Sequence, residues 1–471
     1  MPSTAIVWFR RDLRLADNPA LDYARDHYDR VVPVYIWDPE SESPWSPGAA
    51  SRWWLHYSLA ELSQRLEDRG SRLILANGAS ENHLKRMARA CGAEAVLWNR
   101  LYEPLTIQRD RRIKENLAAE GLQTTSFNAR LLYEPWEILK EDESPYLVFT
   151  PYWKQVQKRW RAPQRCPEPR ELAAPERWPA SESLDDLDLL PTRDWADSFP
   201  DRWEPGELAA RRRLDHFLDE SVKGYHSLRD RPDRHGTSRL SPHLHHGEIS
   251  PRQIALALNE SGELPDGEGR LSYLREIIWR EFSTYLLFHF PSIPDQPLKS
   301  QFEDFPWRSP DDYKDDLQAW QHGRTGVPMV DAGMRELWTS GWMHNRVRMI
   351  VASYLTKNLL IPWQEGARWF WDCLVDADLA NNSQGWQWTA GCGADAAPYF
   401  RVFNPVLQGE KFDPQGDYVR RWVPELNRIS GDRVHKPDVA VNEGQGYADS
   451  VVDLKRTRQR ALEAFETIKK A

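Results

Sequence analysis

Along the first 130 residues, short apolar runs alternate with stretches in which apolar positions return every three or four residues. The runs AIVWF, VVPVYIW, SRLILAN and AEAVLWN have the length and the β-branched and aromatic content of buried strands. Between them, segments such as WWLHYSLAELSQRLEDRG carry the period of amphipathic helices. Strands separated by helices predict a parallel sheet, so residues 1–130 are expected to form a Rossmann-like α/β domain. No G-x-G-x-x-G and no G-x-x-x-x-G-K-[ST] follows any of these runs, which argues against a dinucleotide on the usual glycine turn.

The pattern then changes twice. Residues 131–204 read as an interdomain connector, because APQRCPEPRELAAPERWPASESLDDLDLLP is too rich in Pro, Glu, Asp and Ser to bury much surface. In residues 205–471 a helical period returns, in RRRLDHFLDESV, SPRQIALALNE, LSYLREIIWREFSTYLLFHF, MRELWTSGW and NRVRMIVASYLTKNLL. Strand-like alternation is scarce there, and an all-helical domain is expected. The sequence shows no internal repeat.

Composition narrows the class. With 40% hydrophobic and 28% charged residues in a chain of 471, this is the make-up of a globular protein. No apolar run approaches the ~20 residues that span a bilayer. The opening MPSTAIVWFRRDLRLAD lacks a secretory core and cleavage site, so a cytoplasmic protein is expected. Cys91, Cys166, Cys373 and Cys392 stand far apart without a C-x-x-C pair, which suits reduced thiols better than zinc or disulfides. A net charge of −9 argues against nonspecific adhesion to nucleic acid but leaves room for a local basic groove. The 23 tryptophans exceed what a core requires. Indole stacks on bases and on flavins and can be oxidised to a radical, so the excess points to function.

Four stretches carry candidate chemistry. Gly236 to Ser241 packs hydroxyls and amides into a turn ahead of a helix, which suits either a phosphate cradle or an N-cap with a solvated arginine. In LREIIWREF, helical spacing puts Glu276, Trp279 and Ser283 on one face, while Arg280 stands where it could pair with Glu276. In WTSGWMHNRVRMIVASY, Asn345 and Met349 share a face, as a base-binding pocket or simple helix packing would require. In DADLANNSQGWQWTAG, Trp386 and Trp388 point to nearly opposite sides, about 200° apart. Asp376 and Asp378 could pair with Arg348 or accept hydrogen bonds from ribose and ring groups, and Asn382 offers a neutral amide. Two carboxylates without His or Cys at ligand spacing do not make a metal site, and none is expected.

With these residues on the page, the chain resembles the DNA photolyase and cryptochrome family. VWFRRDLRLADNPAL, GTSRLSPHL, IWREF, GWMHNRVRM and DADLANNSQGWQW through FRVFNP match it in order and spacing across nearly the whole chain. The resemblance implies FAD folded in a U within the helical domain. It assigns flavin contacts to Tyr225, Thr237, Ser238, Arg239, Leu240, Ser241, Tyr273, Trp342, Arg348, Asp376 and Asp378, with Asn382 facing N5. Plant-type cryptochromes carry aspartate at that last position, whereas photolyases carry asparagine. Glu276, Trp279, Asn345, Met349 and Trp388 match the pocket for a flipped pyrimidine dimer, and Arg229, Arg346, Arg401 and Gln408 match groups near the DNA backbone.

The same resemblance implies an electron path through Trp386, Trp363 and Trp307, with Trp369 and Trp371 as a side branch or as core. It implies light-driven repair of cyclobutane dimers in ultraviolet-damaged DNA by a monomer needing no protein partner; a blue-light receptor and a 6-4 photolyase are the alternatives. PGAASRWWL, with Trp53 and Trp54, is similar to bacterial class III photolyases and implies 5,10-methenyltetrahydrofolate as antenna. Leu105 and Thr106 replace the asparagine and glutamate that grip folate in class I, so a deazaflavin or a second flavin stays open.

Overall fold

The computed structural model describes residues 2–192, 194–396, 400–437 and 446–469. Five parallel strands, β1 Thr4–Phe9, β2 Arg30–Trp37, β3 Ile74–Asn77, β4 Ala95–Asn99 and β5 Gln123–Phe127, form a sheet in the order β3-β2-β1-β4-β5. Every residue of β1 is buried, as a central strand covered on both faces demands. The fifth strand, QTTSF, has no fully buried residue and lies at the sheet edge, so its polar pattern gave no strand signal. Between the strands run α1 Pro19–His27, α2 Ala49–Glu67, α3 Ser80–Cys91 and α4 Pro104–Ala119. The first starts on Asn18, whose side chain accepts from the Leu21 amide, with Pro19 just inside.

Within the span read as a connector, α5 Phe149–Lys158 buries Phe149, Tyr152, Trp153 and Val156 in the core of the helical region. The segment before it is tied down by Glu281, whose carboxylate accepts from the Leu132 and Tyr133 amides at 2.7 and 2.8 Å. The helical region then runs through α6 Glu207–Glu220, α7 Tyr225–Leu228, α8 Ser241–His246, α9 Pro251–Leu258, α10 Glu268–His289, α11 Pro310–Gln321 and α12 Pro328–Ser340. It continues through α13 Asn345–Ser353, α14 Trp363–Cys373, α15 Leu379–Ala390, α16 Pro405–Phe412, α17 Asp417–Trp422 and α18 Leu454–Lys469. Among the described residues no strand follows β5, and no helix is long and apolar enough to cross a membrane.

The arginine-rich loop after β1 joins the two halves. Arg14, fully buried, donates to the carbonyls of Gly247 and Ala129 at 2.8 Å each. Gly247, at φ +72°, lies so close that a Cβ there would stand 2.1 Å from the Arg11 carbonyl oxygen. From α2, the Trp54 indole donates to Glu248 at 2.9 Å, so the loop between α8 and α9 is fixed from the α/β side.

Candidate flavin and DNA-lesion site

The turn from Gly236 to Ser241 enters α8 with Arg239 in the left-handed region, at φ +52°. Ser238 accepts from the Tyr273 hydroxyl of α10 at 2.9 Å, and Ser241 accepts from the Trp342 indole at 3.2 Å. The Arg239 guanidinium lies 4.7 Å from the Trp342 ring and 6.0 Å from that of Trp203. Among the described residues it makes no hydrogen bond to a carboxylate. Burial lowers its pKa, Glu336 opposes this, and Arg421 and Arg202 add to it. A largely buried cation beside two more cations suits an anionic ligand. These residues therefore fit the diphosphate of FAD.

Around the expected ring site, Arg348 holds Asp376 through one nitrogen at 2.8 and 3.1 Å and donates to the Met343 carbonyl at 2.8 Å. Asp378 does not join that pair. It caps α15 by accepting from Asn381, and Arg130 approaches it to 3.6 Å and His245 to 3.9 Å. Against burial, the His245 contact and nearby Arg280 hold its carboxyl well below the usual range. Asn382 donates its amide hydrogen to the Ala367 carbonyl at 2.9 Å, so its amide oxygen is the free end.

On α10, the Glu276–Arg280 pair that the spacing allowed does not form. Arg280 donates to the carbonyls of Arg130 and Leu244, while Glu276 pairs with Arg229, 47 positions earlier. Burial pushes the Glu276 carboxyl above its ordinary value, against the pull of Arg229. Ser283 turns back to the Trp279 carbonyl. Trp279 is half-buried and backed by Phe149, ring on ring at 3.7 Å and 9°. Trp388, also half-buried, donates to the Asp395 carbonyl at 3.1 Å, and the Asp395 amide donates to the Leu147 carbonyl at 3.0 Å. The segment 147–149 thus links the two indoles. Sequence patterns gave no sign of Phe149 or Asp395, whose partners are fixed only by the fold.

At the start of α13, Asn345 is exposed and Met349 half-buried one turn on. Arg346 pairs with Asp230 at 2.9 Å and lies 4.5 Å from the Phe412 ring of α16, the helix that carries half-buried Gln408. Arg401 is exposed over Phe403. His344 caps α13, and burial, helped by nearby arginines, pushes it down to about 3, so it is neutral.

Trp386 is buried edge-on to Phe370 at 5.0 Å; a Cβ on Gly366 of α14 would stand 2.0 Å from its ring, so only glycine admits it. Trp363, buried, begins that same helix. Half-buried Trp307 packs on Phe305 at 4.4 Å, and the Arg308 amide docks its segment on the Leu360 carbonyl, three residues before Trp363. Trp371 instead bonds Ser46 and meets Trp45 edge-on, while Trp369 stacks on Trp338 at 5.8 Å.

A second charged pocket lies at the carboxyl ends of β1 and β2, beside the point where the strand order reverses, the usual ligand position in such sheets. Its cavity is small, about 50 Å³, with Trp8, Arg10, Arg11, Tyr35, Trp37 and Arg109 among its walls. Each arginine there already holds a carboxylate: Arg10 with Asp110, Arg11 with Glu42 and Glu103, Arg109 with Asp110. Thr106 is buried and bonded to the Glu103 carbonyl, so it is not a free folate contact.

The chain is similar to known proteins over nearly its whole length. Residues 5–170 match the DNA photolyase family model, and residues 273–467 match the FAD binding domain of DNA photolyase. The chain is 47% identical to a deoxyribodipyrimidine photo-lyase of Agrobacterium fabrum, covering 99% of this chain and 98% of that one. It is 40% identical to cryptochrome-2 of Arabidopsis thaliana, covering all of this chain and 80% of the relative. The crystal structure of a bacterial class III photolyase from Agrobacterium tumefaciens superimposes with a TM-score of 0.94 at 46% identity, covering 100% and 98% of the two chains. Fold and site together define a flavoprotein of the light-active DNA-repair and photoreceptor class, and the chain belongs to the DNA photolyase and cryptochrome family. Within it, the chain is an enzyme of the photo-lyase type.

Proposed function

We propose that the protein splits cyclobutane pyrimidine dimers in DNA under light. The observation that carries this reading is the wall formed by Trp279 on Phe149 and Trp388 on Asp395, with the Glu276 carboxyl one helical turn from Trp279. Two aromatic faces suit a pair of bases turned out of the duplex, a step that costs least at a poorly stacked lesion. When bound, reduced FAD would supply a single electron on absorbing light.

The chain's own residues prepare the dimer. A DNA phosphate would draw Arg229 away from Glu276, and loss of that cation favours protonation of a carboxyl that burial has already raised. The protonated carboxyl then donates a hydrogen bond to a carbonyl oxygen of the dimer, stabilising the negative charge that develops there. Tyr225, Thr237 to Ser241, Tyr273, Trp342, Arg348, Asp376, Asp378 and Asn382 hold the flavin. Asn345, Met349, Arg346, Arg401 and Gln408 meet the lesion and its backbone. Trp386, Trp363 and Trp307 run from buried to half-buried positions and conduct the electron that reduces oxidised flavin.

Asn382 favours repair over signalling, because an ionised aspartate there would lack the hydrogen given to Ala367. His243, His245, His246 and His344 are all buried, and His243 and His246 are held by Glu248 and the Val375 carbonyl, which disfavours a 6-4 lyase that relies on histidines at its substrate. Folate is the proposed antenna, in a cytoplasmic monomer. Reduced holoprotein given ultraviolet-damaged oligothymidine should remove dimers under blue light and not in the dark. Dimers that persist with FAD bound refute the proposal. Absorbance of pigment released on denaturation tells folate from deazaflavin.

A further inference from the structure

The turn that follows α7 lies between the flavin turn and the mouth of the lesion pocket. Its position is fixed, because Leu228 lies against Gly236 so closely that a Cβ there would stand 2.7 Å from the Leu228 Cβ and 2.8 Å from its carbonyl oxygen. From this fixed base two consecutive side chains reach different helices. Arg229 pairs with Glu276 of α10, and Asp230 pairs with Arg346 of α13 at 2.9 Å. Arg346 is further held against Phe412, and its Nε is buried with no acceptor. The side chains of Arg346 and Asp230 are 18% and 34% exposed, so the pair faces the solvent from which DNA would arrive.

We propose that Asp230 is a specificity-determining residue: it keeps Arg346 in an internal ion pair that undamaged DNA leaves closed and lesion-bearing DNA opens. This rests on the reading of damaged DNA as substrate. A phosphate approaching Arg346 must also approach Asp230, so the pair presents no net charge to the backbone and the carboxylate repels it. Undamaged duplex puts no base between Trp279 and Trp388 and gains nothing to offset that repulsion. A dimer entering the pocket brings its own backbone onto Arg346, and the half-exposed pair is weak enough to yield. Nonspecific binding therefore makes one phosphate contact fewer than lesion binding. In an acidic protein whose basic groove must be local, such a residue sets how strongly intact DNA competes.

The test measures dark binding of the FAD-loaded protein to one duplex with and without a single dimer, over a potassium chloride series. Asp230→Asn should tighten binding to the undamaged duplex about three- to tenfold and steepen the log–log salt dependence there by about 0.9, the value of one added phosphate contact. Binding to the dimer duplex should tighten less, so discrimination falls. Asp230→Glu, which keeps the charge, should restore it. In an Arg346→Gln background, Asp230→Asn should have no effect, since it acts through that arginine. An unchanged salt slope on undamaged DNA, equal tightening on both duplexes, or an effect that survives Arg346→Gln each overturns the proposal. A wild-type protein that does not prefer the dimer duplex removes the substrate reading, and this inference with it.

Discussion

The protein carries two pockets built from the same kinds of residue, arginines set among tryptophans and carboxylates, and they differ in how their charges are satisfied. At the end of the sheet, Arg10, Arg11 and Arg109 each hold a carboxylate, and against burial Glu42 and Glu103 lift Arg11 above its ordinary value. In the helical region, Arg239 is lowered by burial with no carboxylate bonded to it among the described residues, and the Nε atoms of Arg346, His344 and Trp386 are buried without partners. In the sheet pocket every one of these arginines has its own carboxylate, although Trp8 Nε1 and Arg10 Nε are also buried without partners. The other leaves Arg239 without a bonded carboxylate among the described residues, while Arg229, Arg346 and Arg348 have theirs, so it is at Arg239 that an anionic ligand completes the site. The difference lies in the placement of carboxylates and not in the number of arginines, which is why a net acidic chain can hold both FAD and DNA.

The sharpest way to break this contrast is to remove one arginine from each pocket. Arg348→Gln leaves the buried Asp376 unpaired beside the flavin site, at a cost of about 3 kcal/mol. The variant should lose most of its FAD, as flavin absorbance after gel filtration would report. Arg11→Gln should lower the melting temperature by a comparable free energy, since Glu42 and Glu103 lose their partner, yet retain FAD. Equal flavin loss in both variants would mean that the pockets are coupled, not distinct.

A smaller effect separates binding of flavin from its reduction. Trp386→Phe preserves ring packing against Phe370 over Gly366 and removes the readily oxidised indole. Photoreduction of oxidised flavin should slow by about tenfold or more, corresponding to roughly 1.4 kcal/mol or more in the barrier. Repair by enzyme already reduced should be spared. Unchanged photoreduction would show that Trp386 is not the first carrier or that another tryptophan substitutes.

How much of the fold and of the helical site was legible from sequence follows from how local the signals are. The buried runs of β1, β2 and β4 and the helical periods of α10 and α13 were readable, because burial of one strand or one helical face imposes its own period. The edge strand QTTSF and α5, set in a Pro-rich stretch, were not, since their stability comes from neighbours distant in sequence. The turn at Arg239 and the pair Arg348–Asp376 form where the motif and its spacing expect them. Partners were harder: spacing offered Arg280 to Glu276, and the fold supplied Arg229. Asp230, next in the chain to a residue singled out for DNA, carried no signal of its own.

The least of the expected effects tests whether His344 belongs to the open pocket as a neutral group. Its pKa is pushed down to about 3 by burial, and Arg239, Arg346 and Arg348 add to the shift while Asp230 opposes it. A histidine depressed in the folded state resists a proton that the unfolded chain accepts, so the fold loses stability as pH falls. The loss begins near the unfolded value of about 6.5 and continues down towards pH 3, approaching roughly 1.4 kcal/mol per pH unit. Asn at this position keeps a side-chain acceptor for the Arg346 amide and cannot titrate. Urea unfolding across pH 7 to 6 should therefore show a shallower fall for His344→Asn than for wild type, by about 0.7 kcal/mol over that interval. Identical slopes would place the titrating histidine elsewhere, at His245 or His246, which burial also lowers.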